Sequence, residues 1–188
     1  MPLTYNLKRT TEPAIEPVTV SELKDHLRIS DSVDDARLET LIAVAREVVE
    51  IDARRSLISQ TWTLECDNWP PLYLELPMPP LASVTSIKYV DTGGTQQTWS
   101  SAEYEVDTSS EPGIVRLAYG QSFPDIRGDE RGIEVIYVAG YGTTASSVPD
   151  MLKHAIKLQA EMQYDCPTPE LEAAYNRIVR MKFSGVYP

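Results

Sequence analysis

The hydrophobic pattern of this chain changes period twice, and those two changes confine the folds open to it. From Thr19 to about Arg54 apolar residues recur every three or four positions, the spacing of one helix face. From Thr61 to Val138 they alternate in short runs, as half-buried strands do. From Pro149 onward the helical spacing returns. Strands set between two helical segments define an α+β chain in which one element type interrupts the other. The expected boundaries are residues 1–58 for the first helices, 59–147 for a small antiparallel β domain, and 148–188 for helices that complete one bundle with the first.

Local signals refine each segment. Thr19-Val20-Ser21-Glu22 has the form of a capping box, with Val20, Leu23 and Leu27 following at helical spacing to about Arg28. Ser32 and Asp35 offer a second start. After it, Leu38, Leu41, Ile42, Ala45, Val48 and Val49 predict an amphipathic helix over about 35–55. Arg37, Glu39, Arg46, Glu47, Glu50 and Arg54 fall on the other face and read as solvated. In the middle, strands are expected at Thr61–Cys66, Leu72–Leu76, Val84–Val90, Gln96–Trp99, Tyr104–Val106, Ile114–Leu117 and Ile133–Val138, with Gly93-Gly94 as a hairpin turn. Repeated prolines from Pro70 to Pro80 exclude helix there. Evenly spaced short strands point to a sandwich or barrel-like sheet. In the last segment the expected inner stripe is Leu152, Ala155, Ile156, Gln159, Ala160 and Gln163. Thr168 and Pro169 then open a final helix with Leu171, Ala174, Tyr175, Ile178 and Met181 on one face.

Charge excludes several functions. Lys and Arg number 17 against 28 Asp and Glu, for a net −11, and residues 59–147 hold 4 of the basic and 12 of the acidic side chains. A chain this acidic has little non-specific grip on nucleic acid or anionic membrane, where Lys and Arg must meet phosphate. No apolar run is long enough to span a bilayer, and the N-terminus has no apolar signal core. Cys66 and Cys166 stand alone, outside any disulfide or zinc pattern, and are expected to be reduced thiols of a cytoplasmic setting.

A search for chemistry finds little. His26 and His154 lie beside apolar helix stripes with no second ligand at metal spacing, and no Ser or Cys has a local base. The run Asp125–Gly132 lacks the alternating ligands of a calcium loop. Val138-Ala139-Gly140-Tyr141-Gly142 lacks the Lys-Ser/Thr of a phosphate loop and reads as a glycine-rich exit from a strand. The aromatics Trp62, Trp69, Tyr73, Tyr89, Trp99, Tyr104, Tyr119, Phe123, Tyr137 and Tyr141 crowd the β region. They could stack sugars, which makes a carbohydrate-binding or carbohydrate-active protein the alternative reading; core and cross-strand packing is the simpler account. A third class is a host-directed binding module. No catalytic, metal or cofactor-binding residue is expected, and the chain is read as an interaction part, not an enzyme.

The order of motifs carries a resemblance. Thr19-x-x-Glu22-Leu23-Lys24-x-His26-Leu27-Arg28-Ile29, Asp34-Asp35 and a long helix ending near Val48-Val49-Glu50 come first. Leu76-Pro77-x-x-Pro80-Leu81-x-Ser83-Val84-x-Ser86-Ile87-x-Tyr89-Val90-Asp91, Val138–Gly142 and Val148-Pro149-x-x-Leu152-Lys153-x-Ala155-Ile156 follow. Over about residues 18–165 this resembles the head–tail connector (adaptor, head completion) proteins of long-tailed bacteriophages, in the subfamily whose four-helix connector bundle carries a β insertion. The resemblance implies a structural virion protein of the phage neck, located at the head–tail junction after assembly in the host cytoplasm. It implies a cyclic, twelvefold ring under the portal protein that extends the DNA channel, lets DNA pass without specific binding, and docks a neck or tail-completion protein. It implies no cofactor, no active site and no membrane. Within this frame Arg177, Arg180, Lys182, Phe183 and Tyr187 are the cationic–aromatic cluster expected to meet the portal or a neighbouring subunit.

Overall fold

The computed structural model describes residues 5–128 and 131–181. The chain forms two compact units: one from the segment ending at Glu12 together with Ser59–Gly140, the other from Pro13–Ile58 together with the segment starting at Tyr141.

The β unit holds two antiparallel sheets. Strands β1 (Tyr5–Thr11), β2 (Gln60–Cys66), β4 (Leu81–Val90), β5 (Gln96–Thr98) and β8 (Ile133–Ala139) form a five-stranded sheet in the order β1-β2-β8-β4-β5. Strands β3 (Tyr73–Leu76), β6 (Tyr104–Asp107) and β7 (Gly113–Leu117) form a three-stranded sheet in the order β3-β7-β6. Alternation decides which face is buried. In β2 and β8 every second residue is buried, and register pairs Trp62 with Tyr137, Leu64 with Val135 and Cys66 with Ile133 on the same side. Those side chains share one core with Leu74, Leu76 and Val115 of the smaller sheet. Gly113 of β7 stands against Leu81, where any Cβ would collide with the Leu81 side chain.

The helical unit is built from α1 (Val20–Leu27), α2 (Asp35–Ala53), α3 (Asp150–Tyr164) and α4 (Pro169–Val179). The Thr19–Glu22 capping box is present in both directions, and Arg28 closes α1 in a left-handed conformation. The second start differs: Asp34 occupies the cap of α2 without a side-chain bond, and Asp35 pairs with Lys24 of α1 at 2.8 Å. Leu23, Leu38, Ile42, Ala45, Val49, Leu152, Ala155, Ile156, Tyr175 and Ile178 close the core between the helices. Thr168 caps α4 by accepting from the Leu171 amide, with Pro169 in its first turn.

The α+β reading holds, and the strands expected from 59 to 147 are all found. Four details differ. Residues 5–11, placed with the first helices, form β1 and pair with β2, because the free edge of β2 recruits a mostly polar segment whose alternation is confined to Tyr5 and Leu7. Residues 141–147, placed with the strands, fall in the helical unit, where the Tyr141 amide donates to the Leu57 carbonyl. On α3, Leu158 is fully in the core while Gln159 and Gln163 are half-buried; on α4, Val179 takes the inner place and Ala174 and Met181 face outward. Finally, Arg46 and Glu50, read as solvated, are buried at 4% and 2% exposure.

Candidate assembly surfaces

The buried charges of α2 form a closed circuit. Arg46 Nε donates to Glu16 at 2.9 Å and Nη1 donates to Glu50 at 2.9 Å, while the other Glu50 oxygen accepts from the Leu57 amide at 2.8 Å. Burial alone would lower the Arg46 pKa, but Glu50 and Glu16 outweigh it and hold the guanidinium raised. The circuit pins the segment before α1 and the turn after α2 to one helix side. Its consequence lies on the opposite flank, where α2 is left uncovered.

On that flank Val44 is 42% exposed and Ile51 is 70% exposed, with half-buried Val48 between them. At about 100° per residue, positions seven apart fall within about 20° of each other, so the three make one stripe. Single exposed apolar residues are ordinary, whereas an aligned set on a helix marks a contact surface. Sequence periodicity assigned Val48 to the core, against which it packs, and left Val44 and Ile51 without a role; their spacing of seven was the available signal.

Of the residues expected to form the C-terminal cluster, Arg177 and Arg180 are exposed on α4, opposite its buried Tyr175, Ile178 and Val179. Lys182, Phe183 and Tyr187 lie outside the described residues. Tyr175 anchors α4 by donating to Asp52 of α2 at 2.7 Å.

The two histidines, separate in sequence, meet in the structure. His26 of α1 and His154 of α3 stack edge to face at 6.0 Å, and His26 Nε2 lies 2.8 Å from Glu161. Burial, then His26 and Lys157, hold the His154 pKa below its ordinary range against the pull of Glu161. The unfolded chain therefore takes up this proton at a higher pH than the folded one. Stability is complete above the ordinary histidine range and is lost as pH falls through the lowered value. We expect the melting temperature of the helical unit to fall between about pH 7.5 and about pH 5.5, and His154→Gln to make that fall shallower. An unaltered slope in His154→Gln would assign the dependence to other groups.

In the β unit the aromatics pack as a core. Trp99 contacts Trp69 and Tyr104 at ring separations of 4.9 Å each, Phe123 stacks on Trp69 at 5.2 Å, and Trp69 Nε1 donates to the Pro124 carbonyl. Tyr137 is buried and donates to the Pro77 carbonyl. Tyr73 and Tyr119 are exposed, and Tyr141 belongs to the helical unit, where its hydroxyl accepts from Arg55 at 2.6 Å. Gly140 and Gly142 take left-handed backbone after β8, and a Cβ at Gly142 would meet Ser147. Burial pushes the Cys66 thiol up to about 11, which leaves it protonated and inert. Among the described residues no group of three or more His, Cys, Asp or Glu is arranged to hold a metal, and no helix is long and apolar enough to cross a membrane.

Residues 17–90, spanning α1, α2 and strands β2 to β4, match the family described as phage gp6-like head-tail connector protein. Over that stretch the chain is similar to connectors of this family. The likeness extends beyond the matched residues. A chain in the neck of an empty gene transfer agent particle, computed with C6 symmetry, is similar at 25% identity and a TM-score of 0.71, covering 92% of this chain and 94% of that one. A chain in the neck of the native particle, computed with C12 symmetry, gives 25% and 0.70 with the same coverage. A chain in the virion of the native particle shares the fold at 24% identity and a TM-score of 0.72, covering 91% and 93%. No curated protein matches by sequence. The connector resemblance read from the residues is thus supported by family and fold together, whereas nothing favours the carbohydrate reading.

Proposed function

We propose that this chain works as a structural ring subunit at the head–tail junction of a phage or phage-like particle, seated under the portal, extending the DNA channel and docking the next neck or tail protein. The supporting observation is the likeness, over more than nine-tenths of the chain, to neck chains of particles computed with cyclic symmetry. Charge agrees with the role. The β unit carries 6 Lys and Arg against 13 Asp and Glu, so a DNA conduit made from such subunits repels the duplex and lets it slide. A ring of identical copies also needs two different complementary surfaces on each subunit.

In this reading the arm after Met181, with Lys182, Phe183 and Tyr187, reaches the portal, and Arg177 and Arg180 lie at its root. Buried aromatics and arginine are the usual centres of interface energy. Truncation after Lys182 is expected to leave the melting temperature unchanged, because the described core ends at Val179, and to abolish co-assembly with portal-containing heads. Truncated protein that decorates heads as well as the full chain would place the portal contact elsewhere. The chain's absence from purified particles would overturn the connector reading itself.

A further inference from the structure

We infer that the exposed flank of α2 is the subunit seam of the ring, and that it receives the outer face of α4 from the next copy in antiparallel register. The inference rests on the ring reading above and names the surfaces that such a ring would use.

The two faces are complementary position by position. Along one exposed stripe in the C-terminal half of α2 lie Val44, Glu47 and Ile51, followed by the exposed cap residue Arg54. Along the stripe of α4 turned away from its buried residues lie Glu170, Ala173 and Arg177, followed by the exposed cap residue Arg180 and exposed Met181. Laid antiparallel, Glu47 meets Arg177 and Arg54 meets Glu170, and both charge pairs span the same seven residues, about 10 Å at 1.5 Å per residue. Between them the large Ile51 faces the small Ala173, a projection against a notch, while Val44 falls beside Arg180 and Met181. A parallel arrangement would set Glu47 against Glu170 and Arg54 against Arg177, which repels at both places.

Availability agrees. Arg177, Arg180 and Arg54 have no ion-pair partner among the described residues, and Glu47, which already meets Arg46 at 3.8 Å, is exposed. The inner faces of both helices are already occupied within the chain: α2 by its core residues and the Arg46 circuit, α4 by Tyr175, Ile178 and Val179. What remains outward on one helix fits what remains outward on the other, and these are different surfaces, so copies joined this way form a head-to-tail contact, the kind from which a closed ring is built. Apolar contact at Ile51 gives the seam its affinity, and the flanking charges fix its register.

The test is site-directed disulfide formation in assembled particles. Cys166, which is exposed, is first replaced by Ser, and buried Cys66 is left in place. Two full-length chains, Ile51→Cys and Ala173→Cys, are expressed separately and together, and particles are purified and oxidised. The seam predicts a covalent dimer only when both chains are present, and a ladder extending beyond the dimer when one chain carries both substitutions. Particles that contain the variants but yield no mixed dimer overturn the seam while leaving the connector reading intact. A ladder that stops at the dimer overturns the head-to-tail ring in favour of a twofold pair. Glu47→Arg and Arg177→Glu are each expected to lower incorporation at least tenfold, and the two together to restore it; failure of the pair to restore incorporation also counts against the seam.

Discussion

Arg46→Ala should lower the melting temperature of the helical unit by roughly 10 °C. Removing the guanidinium leaves Glu50, at 2% exposure, as a buried carboxylate that still accepts from the Leu57 amide but has lost its charge-neutralising neighbour Arg46. Breaking one side of a buried ion pair costs about 3–5 kcal/mol, because the surviving charge stays desolvated without its partner. For a chain of this length each kcal/mol moves the midpoint by roughly 2–4 °C. The double variant Arg46→Met/Glu50→Gln separates this cause from simple loss of packing. Glutamine keeps an acceptor for Leu57 and removes the stranded charge, so most of the loss should be recovered. Thermal unfolding followed by the helical circular dichroism signal checks both variants. A double variant no more stable than Arg46→Ala would show that the circuit matters through the volume of Arg46 and not through its charge.

Trp99→Ala should destabilise the β unit by about 3–5 kcal/mol, the usual result of truncating a buried tryptophan. Trp99 is 3% exposed and lies between Trp69, Tyr104 and Phe123, so its removal opens a cavity that rings on three sides cannot fill without leaving their own contacts. Trp99→Phe should cost much less. The indole nitrogen is buried with no hydrogen-bond partner, so the substitution gives up volume but breaks no bond and removes an unsatisfied donor. Denaturant unfolding followed by tryptophan fluorescence, with Trp62 and Trp69 retained as reporters, measures both. Equal losses in the two variants would mean that Trp99 Nε1 does have a partner in solution.

Strong periodic signals were readable from sequence because they arise from backbone geometry and neighbouring residues. The Thr19 capping box, α2 over most of its expected length, the Thr168–Pro169 start of α4 and the seven strands between 60 and 139 are of this kind. Features that depend on contacts distant in sequence were not. Strand β1 has its apolar side chains at Tyr5 and Leu7, and it exists as a strand because β2 offers a free edge. His26 and His154 look isolated because α1 and α3 are brought together by the core, not by any local pattern.

The sequence by itself determined the class of fold, the two kinds of segment and the absence of any familiar catalytic motif, since period, caps and prolines act within a few residues. It also contained the order of motifs that resembles the connectors. Tertiary structure alone decided which charges on α2 are buried and which apolar residues are not. Helical spacing makes Arg46 and Glu50 look solvated, but it cannot say which flank another segment covers. Glu16 and the turn at Leu57 cover the charged flank, so the charges neutralise one another inside while Val44 and Ile51 remain in water. An amphipathic helix has one face by its sequence and a second by its neighbours, and on this chain the neighbours leave Val44 and Ile51 of the second in water.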